Sequence, residues 1–341
     1  MTGRERVLAA AAGEEPDRVP VLPLARLAFY RWAGVDGGDP EAEPQGLAAA
    51  LLAGRAVTGV DGLEARASYD AEVAALGGTL WRRAGFLPAV VEPWLVDSEA
   101  DLARLSFSYQ ATPLVREREL LRLVRRGAPD AAILSYVQGP LRLATRLAGP
   151  ERVLRALLKE QDFLRQLLSR AVEISAARAR SLAAAGADLI QVSDPYASPA
   201  VISPECYRTQ VLPFEVALVA AVREAGAVAV LHICGDTTPI FDLMLETQAG
   251  VVSLDAPVNL FWARRRAGRG RCLMGNVPPL AFMGGSLRRA ARGGAEALRC
   301  GGRRAFILSA GCAVPPEAEA PSLRVLRRLA DAFAVPGRQV G

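Results

Sequence analysis

The chain has 341 residues, 51% of them hydrophobic and 23% charged, a composition that suits a folded globular protein and excludes a disordered one. No apolar run reaches the length of a membrane span, and the apolar stretch from Val7 to Ala12 is short for a secretion signal, so a cytoplasmic enzyme is expected. The formal charge of +5 comes almost wholly from Arg, and its clusters at 264–266 and 288–292 lack the interleaved aromatics of a single-strand nucleic-acid binder, so neither nucleic acid nor membrane is an expected partner.

Residues ahead of position 18 predict an N-terminal helical extension. RVPVLPL at 18–24 then reads as the first strand, TGVDGLEARA at 58–67 as the second and AAILSYVQGP at 131–140 as the third. Between the second and third lies a segment, 68–130, that is too long for a plain connection. It contains GGTLWRRAGFLPAVVEPWL and predicts a hairpin or lid around Thr79–Trp94, of the kind that covers an active site. A helix-rich stretch, 141–185, leads to the fourth run at 187–195, and further runs follow at 227–236, 250–257, 271–279 and 304–312. Each run is short, apolar and β-rich, and ends in Gly, Pro, Asp, Asn or Cys. Amphipathic stretches such as 239–248, 260–267, 286–299 and 322–333 separate the later runs. Alternation of this kind marks parallel βα units, and eight of them mark an α/β protein of the (β/α)8, or TIM, barrel class. No repeat or low-complexity linker divides the chain, so a single domain over 1–341 is expected.

The cysteines are Cys206, Cys234, Cys272, Cys300 and Cys312, and the only histidine is His232. An odd number without a secretion signal argues against a disulfide framework and for metal or catalytic roles. Side chains alternate along a strand, so His232 and Cys234 face together at the C-terminal end of the fifth run. In a barrel that end is the active-site face, and Cys312 reaches it from the end of the eighth run. Two thiolates and an imidazole suit Zn2+, and three protein ligands leave the fourth tetrahedral position open, as in a catalytic zinc site. Such a site is electrically neutral, so a thiol bound there loses its proton and stays nucleophilic. Cys206, Cys272 and Cys300 read as ordinary buried cysteines, Cys272 in a lower barrel layer than Asn276.

Other polar residues sit at or just beyond strand ends. Asp194 and Asp255 are the candidate catalytic carboxylates, able to relay the thiol proton, occupy the open metal position or cap the next loop. Gln138, Tyr196, Ser198 and Asn276 are the candidate substrate-binding residues; the strand-end polar groups serve equally as braces or as partners holding His232. Gly235, Gly275 and Gly311 adjoin these side chains and allow close approach.

Several motifs are more specific. They are Glu5-Arg6-Val7-Leu8 with Pro16-Asp17-Arg18-Val19-Pro20, Ala185-Gly186-Ala187-Asp188, Asp194-Pro195, and Ile202-Ser203-Pro204 with Pro213. His232-Ile233-Cys234-Gly235-Asp236-Thr237-Thr238-Pro239, Met274-Gly275-Asn276-Val277 and Leu308-Ser309-Ala310-Gly311-Cys312 complete the set. In these the chain resembles the uroporphyrinogen decarboxylase-like superfamily, in its branch of methylcobamide:coenzyme M methyltransferases. The resemblance implies a (β/α)8 barrel with zinc on His232, Cys234 and Cys312. It further implies transfer of a methyl group from a methylated corrinoid, a methylcobamide on a corrinoid protein or free methylcobalamin, to a zinc-bound thiol such as coenzyme M. Tetrahydrofolate is an alternative acceptor in a related branch. Uroporphyrinogen decarboxylase is the other alternative, but its Arg-Gln-Ala-Gly-Arg segment is replaced here by Leu22-Pro23-Leu24-Ala25-Arg26-Leu27-Ala28, and its C-terminal histidine by Cys312.

Overall fold

The computed structural model describes residues 1–35, 42–68, 70–81, 89–90, 92–108, 110–285 and 287–334. Its strands, in chain order, are β1 (Gly62–Glu64), β2 (Leu80–Trp81), β3 (Ala89–Val90), β4 (Ala132–Gln138), β5 (Leu189–Ser193), β6 (Val228–His232), β7 (Val251–Ser253), β8 (Cys272–Val277) and β9 (Phe306–Ala310). Seven of them form one sheet in the order β1-β4-β5-β6-β7-β8-β9, with parallel pairing at every step.

The expected first strand is reduced to a bridge. Val21 pairs in parallel with Leu308, Leu22 N–H donates to the Leu308 carbonyl (3.0 Å), and Asp61 N–H donates to the Val21 carbonyl (2.8 Å). Residues 20–22 therefore fill the gap between β9 and β1 and close a (β/α)8 barrel. The physical reason for so short a strand lies in Pro20 and Pro23, which have no N–H to extend a ladder.

Side-chain alternation divides the core in two. Ala132, Leu134, Leu189, Val230, Met274 and Ile307 pack together inside the barrel. Their chain neighbours Ile133, Ile190, Leu231, Leu273 and Leu308 pack outward against the helices. Cys272 lies with the inner set, below Asn276. The extension at the N-terminus forms the helix Gly3–Ala11, opened by a reciprocal Thr2–Glu5 cap, and it sends Val7 and Ala10 into the barrel floor. Gly3 fits there because an added Cβ would lie 2.6 Å from the Asp61 carbonyl oxygen.

The long connection between β1 and β4 carries the helix Ala71–Ala75, the β2–β3 hairpin, the helix Glu99–Arg104 and the helix Thr112–Gly127, which returns the chain to the barrel. The hairpin falls within the expected lid at Thr79–Trp94, of which 82–88 and 91 lie outside the described residues. No helix among the described residues is long and apolar enough to cross a membrane.

Candidate metal centre

Strand β6 ends on His232, whose parity with Val230 turns its side chain into the barrel mouth. The ring is buried, and its Nδ1 lies 3.1 Å from the Ser253 hydroxyl. Ser253 is its register partner on β7, so the ladder itself delivers that contact. With Nδ1 engaged, Nε2 is the nitrogen left to face Cys234, whose Sγ is 3.5 Å away.

Cys234 and Cys312 each lie two residues beyond the end of a strand, β6 and β9 respectively. Alternation inside a strand therefore does not by itself place Cys234. The loop after β6 is held by Asp255, which accepts the Gly235 N–H at 2.8 Å and the Ala256 N–H at 2.7 Å. The loop after β9 is held by Gly311, whose N–H donates to the Val277 carbonyl at 2.8 Å. An added Cβ on Gly311 would lie 2.5 Å from Ala256 N, so only glycine lets the loop after β9 meet the loop after β7.

The donor atoms of His232, Cys234 and Cys312 all lie within 4.8 Å of one another. A tetrahedral zinc ion holds its N and S ligands roughly 3.3–3.8 Å apart, by its usual bond lengths, so this set needs only slight contraction to bind one. The charges fit as well. Hydrogen bonding with Cys234 lowers the Cys312 thiol below the usual range, helped by His232 and the Ala313 backbone and opposed by burial. The Cys234 thiol is raised by the same hydrogen bond, by burial and by the Cys312 charge. The two thiols thus hydrogen-bond to one another, and a cation bound between them would take the place of that proton.

The three side chains open onto a cavity of about 250 Å³. Its remaining polar wall comes from Arg66, Asp70, Tyr136, Arg142, Arg146, Gln191 and Ser193. Arg66 stacks over the Tyr136 ring at 4.2 Å and pairs with Glu64 at 2.6 Å. Arg142 and Arg146, one turn apart on the helix Pro140–Ala148, share a face.

The other candidates occupy the surroundings. Asp194 is fully buried and accepts the Leu141 and Arg142 N–H groups at 2.7 and 2.8 Å, so it caps the helix that carries those arginines. Burial pushes its pKa up to about 7, against the pull of the two N–H groups and Arg142. Asn276 donates to the carbonyls of Asp255 (3.1 Å) and Val258 (2.7 Å). Ser198 is buried, accepts the Ala200 N–H at 3.4 Å and sits against Gly235. Tyr196 is half-buried against the core, and Gln138 bonds to Glu72 and Arg142. Asp194, Asp255, Gln138, Tyr196, Ser198 and Asn276 thus stand behind the cavity lining rather than on it.

Sequence reasoning missed Ser253 and the three arginines. The arginines had a readable signal: Arg66 follows a strand end by two residues, and Arg142 and Arg146 are spaced for one helix face just after Gln138.

A sequence profile of the uroporphyrinogen decarboxylase (URO-D) family matches residues 2–333. The methylcobamide:CoM methyltransferase MtaA of Methanosarcina barkeri is 26% identical over 343 residues, covering 97% of this chain and 98% of that protein. A uroporphyrinogen decarboxylase of Thermus thermophilus is 27% identical over 341 residues, covering 95% of this chain and 96% of that protein. Among solved structures, a methyltransferase from Methanosarcina mazei superposes with a TM-score of 0.89 at 25% identity, over 98% of this chain and 100% of that one.

Proposed function

The chain belongs to the uroporphyrinogen decarboxylase (URO-D) family, and on that premise we propose that it is a zinc-dependent methyltransferase that moves a methyl group from a methylcobamide to a small thiol. The observation that carries this reading is the convergence of His232, Cys234 and Cys312 on one cavity. Relatives named as methylcobamide:CoM methyltransferases support it. The donor is a methylated corrinoid, on a corrinoid protein or free, and coenzyme M is the model acceptor.

Zinc held by His232, Cys234 and Cys312 supplies the Lewis acidity that lowers a thiol's pKa. The protein's own groups set the stage for it. Ser253 fixes the ring of His232 so that Nε2 faces the cysteines. Asp255 and Asn276 hold the loops that present Cys234. Asp194 seats the helix whose arginines line the acceptor cavity. Tyr196 and Ser198 shape the neighbouring loop. The cytoplasm suits this chemistry because its reducing environment keeps both cysteines as thiols.

Decarboxylase relatives give the alternative. A cavity of about 250 Å³ takes a small thiol whole beside His232, Cys234 and Cys312, which favours methyl transfer. One experiment separates the two. Zinc-loaded protein is mixed with methylcobalamin and coenzyme M, and cob(I)alamin is followed by absorbance; in parallel, uroporphyrinogen is tested for CO2 release. Thiol-dependent cob(I)alamin formation is expected. Decarboxylation by metal-free protein, without thiol methylation, would overturn the proposal.

A further inference from the structure

The insertion between β1 and β4 does more than lengthen the chain. Its helix Ala71–Ala75 buries Glu72 completely, and Asp70 just ahead of it is buried against the cavity. Glu72 is paired with the Arg178 guanidinium, which in turn bonds Glu117 at 2.7 and 3.0 Å. These three charges tie the insertion's helices Ala71–Ala75 and Thr112–Gly127 to each other and to the helix Gln161–Ala184.

Glu72 also faces the end of β4. It accepts the Gln138 backbone N–H and side-chain amide, each at 3.3 Å, and the Gln138 Oε1 accepts Arg142 Nε–H at 3.2 Å. A carboxylate only accepts and a guanidinium only donates. A glutamine between them has one satisfying orientation, with its NH2 toward Glu72 and its oxygen toward Arg142. The second arginine of the pair, Arg146, meets Asp70 directly at 3.3 Å. Both cavity arginines of the helix Pro140–Ala148 are therefore held by acidic residues of the insertion, one of them through Gln138.

We infer that Glu72 and Gln138 are positioning residues, which aim the Arg142 guanidinium into the cavity so that it meets an anionic group on the acceptor. The inference rests on the cavity being the acceptor site. Neither residue touches the reacting atoms; each acts through Arg142.

The test compares 2-mercaptoethanesulfonate with neutral 2-mercaptoethanol on zinc-loaded protein, by titration calorimetry and by KM with methylcobalamin. The native protein should prefer the anionic thiol. In Gln138→Leu the ratio of the two affinities should fall about tenfold, the scale of one charge-assisted hydrogen bond, and the loss should appear in KM more than in kcat. A merely structural role would weaken both thiols alike. Arg142→Met should abolish the preference by itself, and adding Gln138→Leu to it should change nothing further. A native protein indifferent to thiol charge, a Gln138→Leu variant that keeps the preference, or an additive double variant would each overturn the inference. Because calorimetry reads binding alone, thiols that bind with this preference but are not methylated would sink the proposed reaction and leave the positioning role standing.

Discussion

The two faces of the barrel carry charge differently. On the floor, guanidiniums and carboxylates tie chain segments to one another. Arg18 makes two bonds of 2.7 Å to Asp61, Arg6 reaches Asp17 and Asp61, and Arg4 and Arg125 close on Asp188. At the mouth, Arg66, Arg142 and Arg146 line a cavity beside His232, Cys234 and Cys312, where Asp70 is the one carboxylate among the described lining residues. The same residue type thus has two uses, set by position. Charges turned to neighbouring segments hold the barrel shut, whereas charges turned to a cavity meet whatever enters it.

Substitutions should separate these uses. The largest effect is expected at the mouth: Cys234→Ala and Cys312→Ala should each lose zinc, by elemental content, together with methyl transfer. Their melting temperatures should match that of chelator-stripped native protein, since what they lose is the metal's contribution to stability. Retention of zinc and full turnover in either variant would break the assignment of the mouth.

On the floor, Asp61→Asn should destabilise by about 3 kcal/mol in urea titration, because it takes from the buried Arg18 its buried countercharge and leaves it only the half-exposed Asp331. Zinc per folded chain should stay at the native level. Loss of zinc at native stability would erase the contrast between the faces. A smaller effect is expected from Ser253→Ala, which should weaken zinc binding about 10–100-fold in competition with a chelator while leaving the three ligands in place. Ser253→Thr keeps the hydroxyl and should recover most of that affinity; an alanine variant of native affinity would show that His232 needs no such partner.

Much of the mouth was legible because it depends on short-range pattern. The His232-Ile233-Cys234 spacing and a Cys just past an apolar run lead to the ligand set. The strand-alternation argument was nevertheless incomplete, since Cys234 lies beyond β6 in a loop held by Asp255, and Cys312 lies beyond β9 in a loop set by the contact between Gly311 and Ala256. Ser253 was hidden because it depends on the β6–β7 register, which apolar runs alone do not specify. The arginines carry a spacing signal of their own, but the acidic residues that hold Arg142 and Arg146 were hidden because they depend on how an irregular insertion packs. In the sequence Asp194 is placed for catalysis or for capping the next loop, but the donors it meets belong to a helix that precedes it in the chain. The barrel class survived the reduction of the first run to a bridge, because closing a sheet requires a matching edge and not a full-length strand.

That bridge also sets an order of events during synthesis. Val21 leaves the ribosome on the order of tens of seconds before Leu308, at ordinary elongation rates. The growing chain holds an open sheet for all of that interval, with β1 and the segment around Val21 lacking their last neighbour. Cys312 follows β9 by two residues. The last stave and the last of the three converging side chains therefore arrive together, so the nascent protein cannot bring His232, Cys234 and Cys312 together until it is able to close its barrel.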